Sequence, residues 1–189
     1  MRKPNYCKGI VIVHGKSELL FVEHIRSNLH LPIGIFSMQN GKTSIQIDGL
    51  MSVLYNNTFK NKRALTNTYV IEEENGEFKN FFVMPIMDLD DTTKERAEKY
   101  KSCEMFNGHW LRKYMLPIWN DKNMDQVLFE LGLINKLPNS KEKGRVYEEI
   151  FPTNRGESDL EQVRKLLKYF ENSKKTNMDV FIEKCLESL

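Results

Sequence analysis

The sequence predicts an α/β protein: a mainly parallel sheet of about four strands, helices on both faces, and a helical C-terminal extension. Three observations carry that prediction. Short β-branched runs bounded by turn residues alternate with segments whose apolar residues recur at helical spacing. The runs are continuously apolar, as suits strands covered on both faces. From Phe151 onward only helical patterns remain.

The chain of 189 residues, 40% hydrophobic and 29% charged, suits one globular domain over residues 1–189, with 151–189 as the extension packed on it. A net charge of +2 offers no overall field for a polyanion, so nucleic-acid binding is permitted by local basic patches without being indicated by composition. Cys7, Cys103 and Cys185 have no CxxC spacing and an odd total, which argues against a disulfide framework and a zinc knuckle and for reduced thiols in a cytoplasmic setting. The apolar run after "MRKPNYCKG" is too short for a signal-peptide core or for a membrane span of ~20 residues. A protein that stays where it is made, away from membranes, is expected.

Each element follows in order. "GIVIV" reads as a buried strand, and "KSELLFVEHIRSNL" spaces Leu19, Leu20, Val22, His24, Ile25 and Leu29 as a largely buried helix. "IGIFSM" is the second strand, and "SIQIDGLMSVLYN" the second helix, with Thr43 or Ser44 as N-cap. Asn75-Gly76 suits a small hairpin before the buried strand "FFVMPIM". "TTKERAEKYKSCEMF" is a helix capped by Thr92 with Glu95 three residues on, and "YMLPIWND" a fourth, weaker strand leading into the helix "NMDQVLFELGLI". Two helices close the chain: "ESDLEQVRKLLKYFEN", with Ser158 and Glu161 as a capping box, and "NMDVFIEKCLESL".

Ligands of such sheets sit beyond the carboxyl ends of the strands. The first of these ends carries "HGKSE", whose Gly-Lys-Ser invites a phosphate-loop reading. That loop needs a glycine five positions before its Gly-Lys, where this chain has Ile10, so the reading fails. "MPIMDLDDTT" places Asp88, Asp90 and Asp91 where a buried strand breaks. Alternate residues of an extended segment point the same way, so Asp88 and Asp90 can converge on one hard cation, while Asp91 or Thr92 is also suited to cap the next helix.

Together "VIVHGKSE" and "IMDLDD" resemble the Toprim domain shared by topoisomerases, bacterial primases, small nucleases and the OLD-type and RloB-like proteins of phage defence. The resemblance spans Gly9 to Leu133 in the order of elements. It implies a Toprim-like, Rossmann-like sheet and a site in which Asp88, Asp90 and Asp91 hold Mg2+ or Mn2+. The family's first strand ends in Glu-Gly, its glutamate serving in acid/base chemistry; here His14 stands in that place. Glu18, about one helical turn on, can lean over the same pocket or simply complement the helix N-terminus. His14 and Glu18 are thus the catalytic candidates beside Asp88 and Asp90, and each also suits an ordinary strand-to-helix turn. Gly15 lets the chain turn sharply toward a ligand, and Lys16 with the helix N-terminus behind it is suited to a phosphate.

Other residues divide similarly. Asn120, Asp121 and Asp125 lie at the fourth strand end, where helix capping by Asn123 and its neighbours competes with a site role. Trp110 and Trp119 read as core before they read as base-stacking platforms. His24, His30 and His109 show no metal spacing. Lys60, Lys62 and Arg63 sit in a polar stretch that is either a loop near the site or a solvated linker. Two functions remain open. One is a Mg2+-dependent nuclease acting on DNA or RNA. The other is a degenerate Toprim-like module that contacts nucleic acid or a partner protein.

Overall fold

The computed structural model describes residues 5–152 and 159–189. In chain order its elements are β1 (Asn5–Tyr6), β2 (Gly9–Val13), α1 (Lys16–Leu29), β3 (Ile33–Phe36), α2 (Ile47–Leu54), α3 (Lys62–Thr66), β4 (Tyr69–Val70), β5 (Glu73–Glu74), β6 (Glu77–Phe78), β7 (Phe82–Asp88), α4 (Lys94–Lys101), β8 (Ile118–Asn120), α5 (Met124–Glu130), α6 (Lys143–Ile150), α7 (Leu160–Phe170) and α8 (Met178–Glu187). The main sheet runs β3-β2-β7-β8 with every pair parallel, a Rossmann-like arrangement. Chain order reverses at β2: β3 lies on one side of it and β7 on the other. The crevice beyond β2 and β7 is therefore the topological switch point, where open sheets of this kind leave room for a ligand.

Alternation along the strands builds a core on each face. Ile10 and Ile12 of β2 join Val83 and Met87 of β7 under α2 and α4, and Val11 and Val13 join Met84 and Ile86 under α1, α5, α7 and α8. Phe21 of α1 is fully buried and meets Phe151 and Phe170 edge-on, at centroid separations of 5.0 and 5.7 Å. Contacts of this kind hold the C-terminal helices on the sheet, each buried ring contributing about 1.5–3 kcal/mol.

Helix starts deviate from the sequence pattern for identifiable reasons. The backbone N–H of Ile45 donates to His14 O at 2.8 Å, which keeps the chain extended past Thr43 and Ser44, so α2 starts later, after Gln46. Thr92 donates its hydroxyl to Asp48, so Thr93 rather than Thr92 caps α4, accepting from the Arg96 N–H. Asn75 and Gly76 both adopt positive φ and turn the β5–β6 hairpin as expected. The polar stretch after Tyr55 contains the short helix α3, capped by Asn61, with Lys62 paired to Glu73. The helix α6 and the two-residue pairing of β1 with β4 have no counterpart in the sequence pattern. Ser158 lies outside the described residues, and Asp159 caps α7 by accepting from the Gln162 N–H.

Candidate functional site

β2 and β7 end side by side, the His14 N–H donating to Ile86 O at 2.9 Å. Beyond them opens a cleft of about 260 Å³ lined by His14, Gly15, Lys16, Glu18, Asp88 and Asp90. Six of the seven residues expected at the site thus converge. Asp91, the seventh, stands behind His14, its Oδ2 at 3.7 Å from His14 Nδ1.

The cleft floor is shaped by the start of α1. Gly15 precedes the helix in extended conformation, and its N–H donates to Glu18 Oε2 at 2.9 Å. Glu18 is 1% exposed, and its other oxygen, Oε1, has no hydrogen-bond partner among the described residues. A left-handed turn, Gln39 to Gly41 with φ of 48, 55 and 76°, lies against this helix start. A Cβ on Gly41 would stand 2.9 Å from Lys16 Cα, so the close approach requires glycine there.

Asp88, the last residue of β7, is 6% exposed. Its Oδ1 accepts from Asn120 Nδ2 at 3.0 Å, and its Oδ2 lies 3.9 Å from His14 Nε2. Asp90 Oδ2 accepts from Asn123 Nδ2 at 3.0 Å, and the N–H groups of Leu89 and Asp90 both point at Lys122 O. Electrostatics follow from this crowding. Burial, then the negative charge of Glu18, pushes the Asp88 carboxyl up to about 9; the Asn120 hydrogen bond opposes the shift, and Asp90 and Asp91 add to it. Burial likewise raises Glu18 and Asp91, in each case against the counteracting charge of His14.

Five residues of the cleft have no site role in the sequence-based reading: Ser17, Ser44, Asn123, Met124 and Lys143, with Ser44 and Asn123 entering it only as helix caps. Lys143 Nζ stands 2.6 Å from Asp125 Oδ2, while Ser17 and the buried Tyr147 hydroxyl donate to Asp125 Oδ1 at 3.2 and 2.7 Å. Sequence signalled Asp125 as a polar residue after the fourth strand but not its partner, because Lys143 reaches the cleft only through α6. Asp121 turns away to pair with Lys175 at 2.7 Å. Lys60, Lys62 and Arg63 do not line the cleft. Trp110 donates to Phe59 O, Trp119 lies under Lys101, and His24 and His109 bond to backbone carbonyls, so these four serve packing.

Donor chemistry in the cleft is that of hard oxygens. Among the described residues no three His, Cys, Asp or Glu side chains are grouped to hold a metal ion. Magnesium does not require such a cage, since it keeps several waters and is commonly held by one or two carboxylates. The unpartnered Glu18 oxygen and the mutually repelling carboxyls fit a hard cation.

Fold and site together define a class: a Rossmann-like α/β protein with an acidic, histidine-bearing cleft at the topological switch point of its sheet. No family model, no curated protein and no solved structure matches the chain. Among the described residues no helix is long and apolar enough to cross a membrane.

Proposed function

We propose that the protein carries out Mg2+- or Mn2+-dependent phosphodiester chemistry on nucleic acid, as a small Toprim-type nuclease of the defence or mobile-element kind. One observation carries this reading: Glu18, Asp88 and Asp90 share a cleft with His14 at the switch point, and burial with mutual repulsion raises Asp88 to about 9. Carboxyls gathered in this way become stable anions when a cation joins them. Asp88 and Asp90 would hold the metal, with Glu18 Oε1 on the same cleft wall. When bound, magnesium supplies Lewis acidity toward a phosphoryl oxygen and a water of lowered pKa. The chain's own groups do the rest. His14 or Glu18 accepts the proton of the attacking water, and Lys16 offsets phosphate charge at the cleft wall.

A second reading, a degenerate Toprim-like module that binds nucleic acid or a partner protein, is favoured by a specific observation. His14 replaces the expected glutamate, and Glu18 spends one oxygen on the Gly15 N–H. Cleavage assays on single- and double-stranded DNA and RNA with Mg2+ and Mn2+ separate the two. The nuclease reading expects cleavage that Asp88→Asn abolishes. Binding without any cleavage sensitive to Asp88→Asn replaces it with the second reading.

A further inference from the structure

A buried hydrogen-bond chain approaches Asp88 from the C-terminal part of the protein. The segment Lys175 to Asn177 runs along the outer edge of β8, with an antiparallel bridge between Asn120 and Thr176. Asp121 N–H donates to Lys175 O at 2.6 Å, and Trp119 N–H donates to Asn177 Oδ1 at 2.7 Å. Within this clasp the Met178 N–H, in the first turn of α8, donates to Thr176 Oγ1 at 3.1 Å. The Thr176 hydroxyl donates to Asn120 Oδ1 at 2.9 Å, and Asn120 Nδ2 donates to Asp88 Oδ1 at 3.0 Å. Thr176, Asn120 and Asp88 are 3%, 0% and 6% exposed.

Donor directions along the chain are mutually consistent. The Thr176 oxygen accepts from the Met178 N–H and its hydroxyl proton goes to the Asn120 carbonyl, so that the Asn120 amide faces Asp88. Each bond polarises the next. We propose that Asn120 and Thr176 are positioning residues for the cation-binding carboxylate: they occupy Asp88 Oδ1, fix the plane of the carboxyl group, and leave Oδ2 as the oxygen offered to the cleft. The C-terminal segment is thereby an arm of the site. This inference rests on the metal reading of the cleft given above.

Mn2+ binding to the 189-residue chain, followed by paramagnetic resonance of the free ion beside thermal melting, tests it. Loss of an outer hydrogen bond to a metal ligand typically weakens affinity about 10–100-fold. Thr176→Val, which keeps shape and removes the hydroxyl, is expected to weaken Mn2+ binding about 10-fold. Thr176→Ser is expected to restore it. Asn177→Ala breaks the same clasp without touching Asn120, so it is expected to lower Tm and leave Mn2+ affinity within about 2-fold of wild type, as no ligand-orienting bond is lost. Unchanged affinity in Thr176→Val beside a wild type that binds overturns the positioning role alone, as does an equal loss in Asn177→Ala. A wild type that binds no more Mn2+ than Asp88→Asn overturns the metal reading, and the positioning role with it.

Discussion

The two ends of the main sheet carry clefts of nearly equal size and opposite electrostatic character. At the amino ends of the strands, a cleft of about 240 Å³ is lined by Lys8, Lys79, Lys184, Glu72 and Glu187. Its lysines all have partners: Lys79 lies 3.8 and 3.5 Å from Glu72 and Glu74, Lys184 lies 3.0 Å from Glu187, and Lys8 donates to the backbone carbonyl of Ser188 at 2.7 Å. At the carboxyl ends, four carboxyls line the cleft, of which Asp125 is paired with Lys143, and Glu18 Oε1 has no hydrogen-bond partner among the described residues. Volume therefore does not distinguish the two ends. Unmatched charge does, and perturbed titratable groups gathered in a cleft mark the carboxyl end as the candidate site.

The largest expected effect that sharpens this contrast is the response of stability to pH. Asp88, Glu18 and Asp91 all have raised carboxyl pKa values in the folded state, so between about pH 4, where the unfolded groups lose their protons, and about 9 the native state holds more protons than the unfolded one. Stability accordingly falls as pH rises through that window, by at most about 1.4 kcal/mol per unit for each group. Asp88→Asn is expected to flatten the slope and to raise Tm at pH 8 by roughly 5–10 °C, at ~2–4 °C per kcal/mol for a chain of this size. Calorimetry between pH 5 and 9 checks this; a wild-type Tm that is level or climbs with pH breaks the contrast.

Added Mg2+ or Mn2+ comes next in size. At about 100 times its Kd a cation contributes ~2.7 kcal/mol, and the gain should be larger at pH 8 than at pH 5, where protons compete for the same oxygens. Melting curves with and without metal are expected to shift for wild type and to coincide for Asp88→Asn.

Gly41→Ala probes how the acidic end is built. A side chain there meets the backbone at Lys16 and a φ of 76°, so a loss of about 1–3 kcal/mol is expected by denaturant titration. The smallest effects belong to the amino end. Lys79→Ala and Lys184→Ala remove exposed pairs worth about 0–1 kcal/mol, and neither change should depend on the divalent cation. Cation-dependent melting at that end would show that matched charge is no guide to a site.

How far the sequence discloses this arrangement depends on the range of each interaction. β2 and α1 have the limits read from the pattern, because continuous β-branching and a helical stripe are local signals. The convergence of His14, Glu18, Asp88 and Asp90 was legible for the same reason: strand ends mark the sheet's carboxyl edge, and adjacent parallel strands bring those ends together. α6 was not legible. Glu142 at its start makes no capping hydrogen bond and Gly144 stands in its first turn, so no start signal exists and Lys143 was invisible as a cleft residue. The position of Asp91 behind His14 depends on how the chain turns after β7. The Asn120 and Thr176 contact joins residues 56 apart, which no pattern within one segment encodes.

The sheet order has a consequence for how the chain is made. β2 lies between β3 and β7, and β7 is synthesised roughly seventy residues after it. At translation speeds of about 5–20 residues per second, the most apolar strand waits several seconds for its second neighbour. The Lys8 bond to Ser188 closes over a separation of 180 residues and cannot form until Ser188 has left the ribosome. High contact order of this kind slows folding. A nascent chain arrested before Phe82 is therefore expected to be protease-sensitive along Gly9 to Val13, with protection arriving only when β7 has left the ribosome.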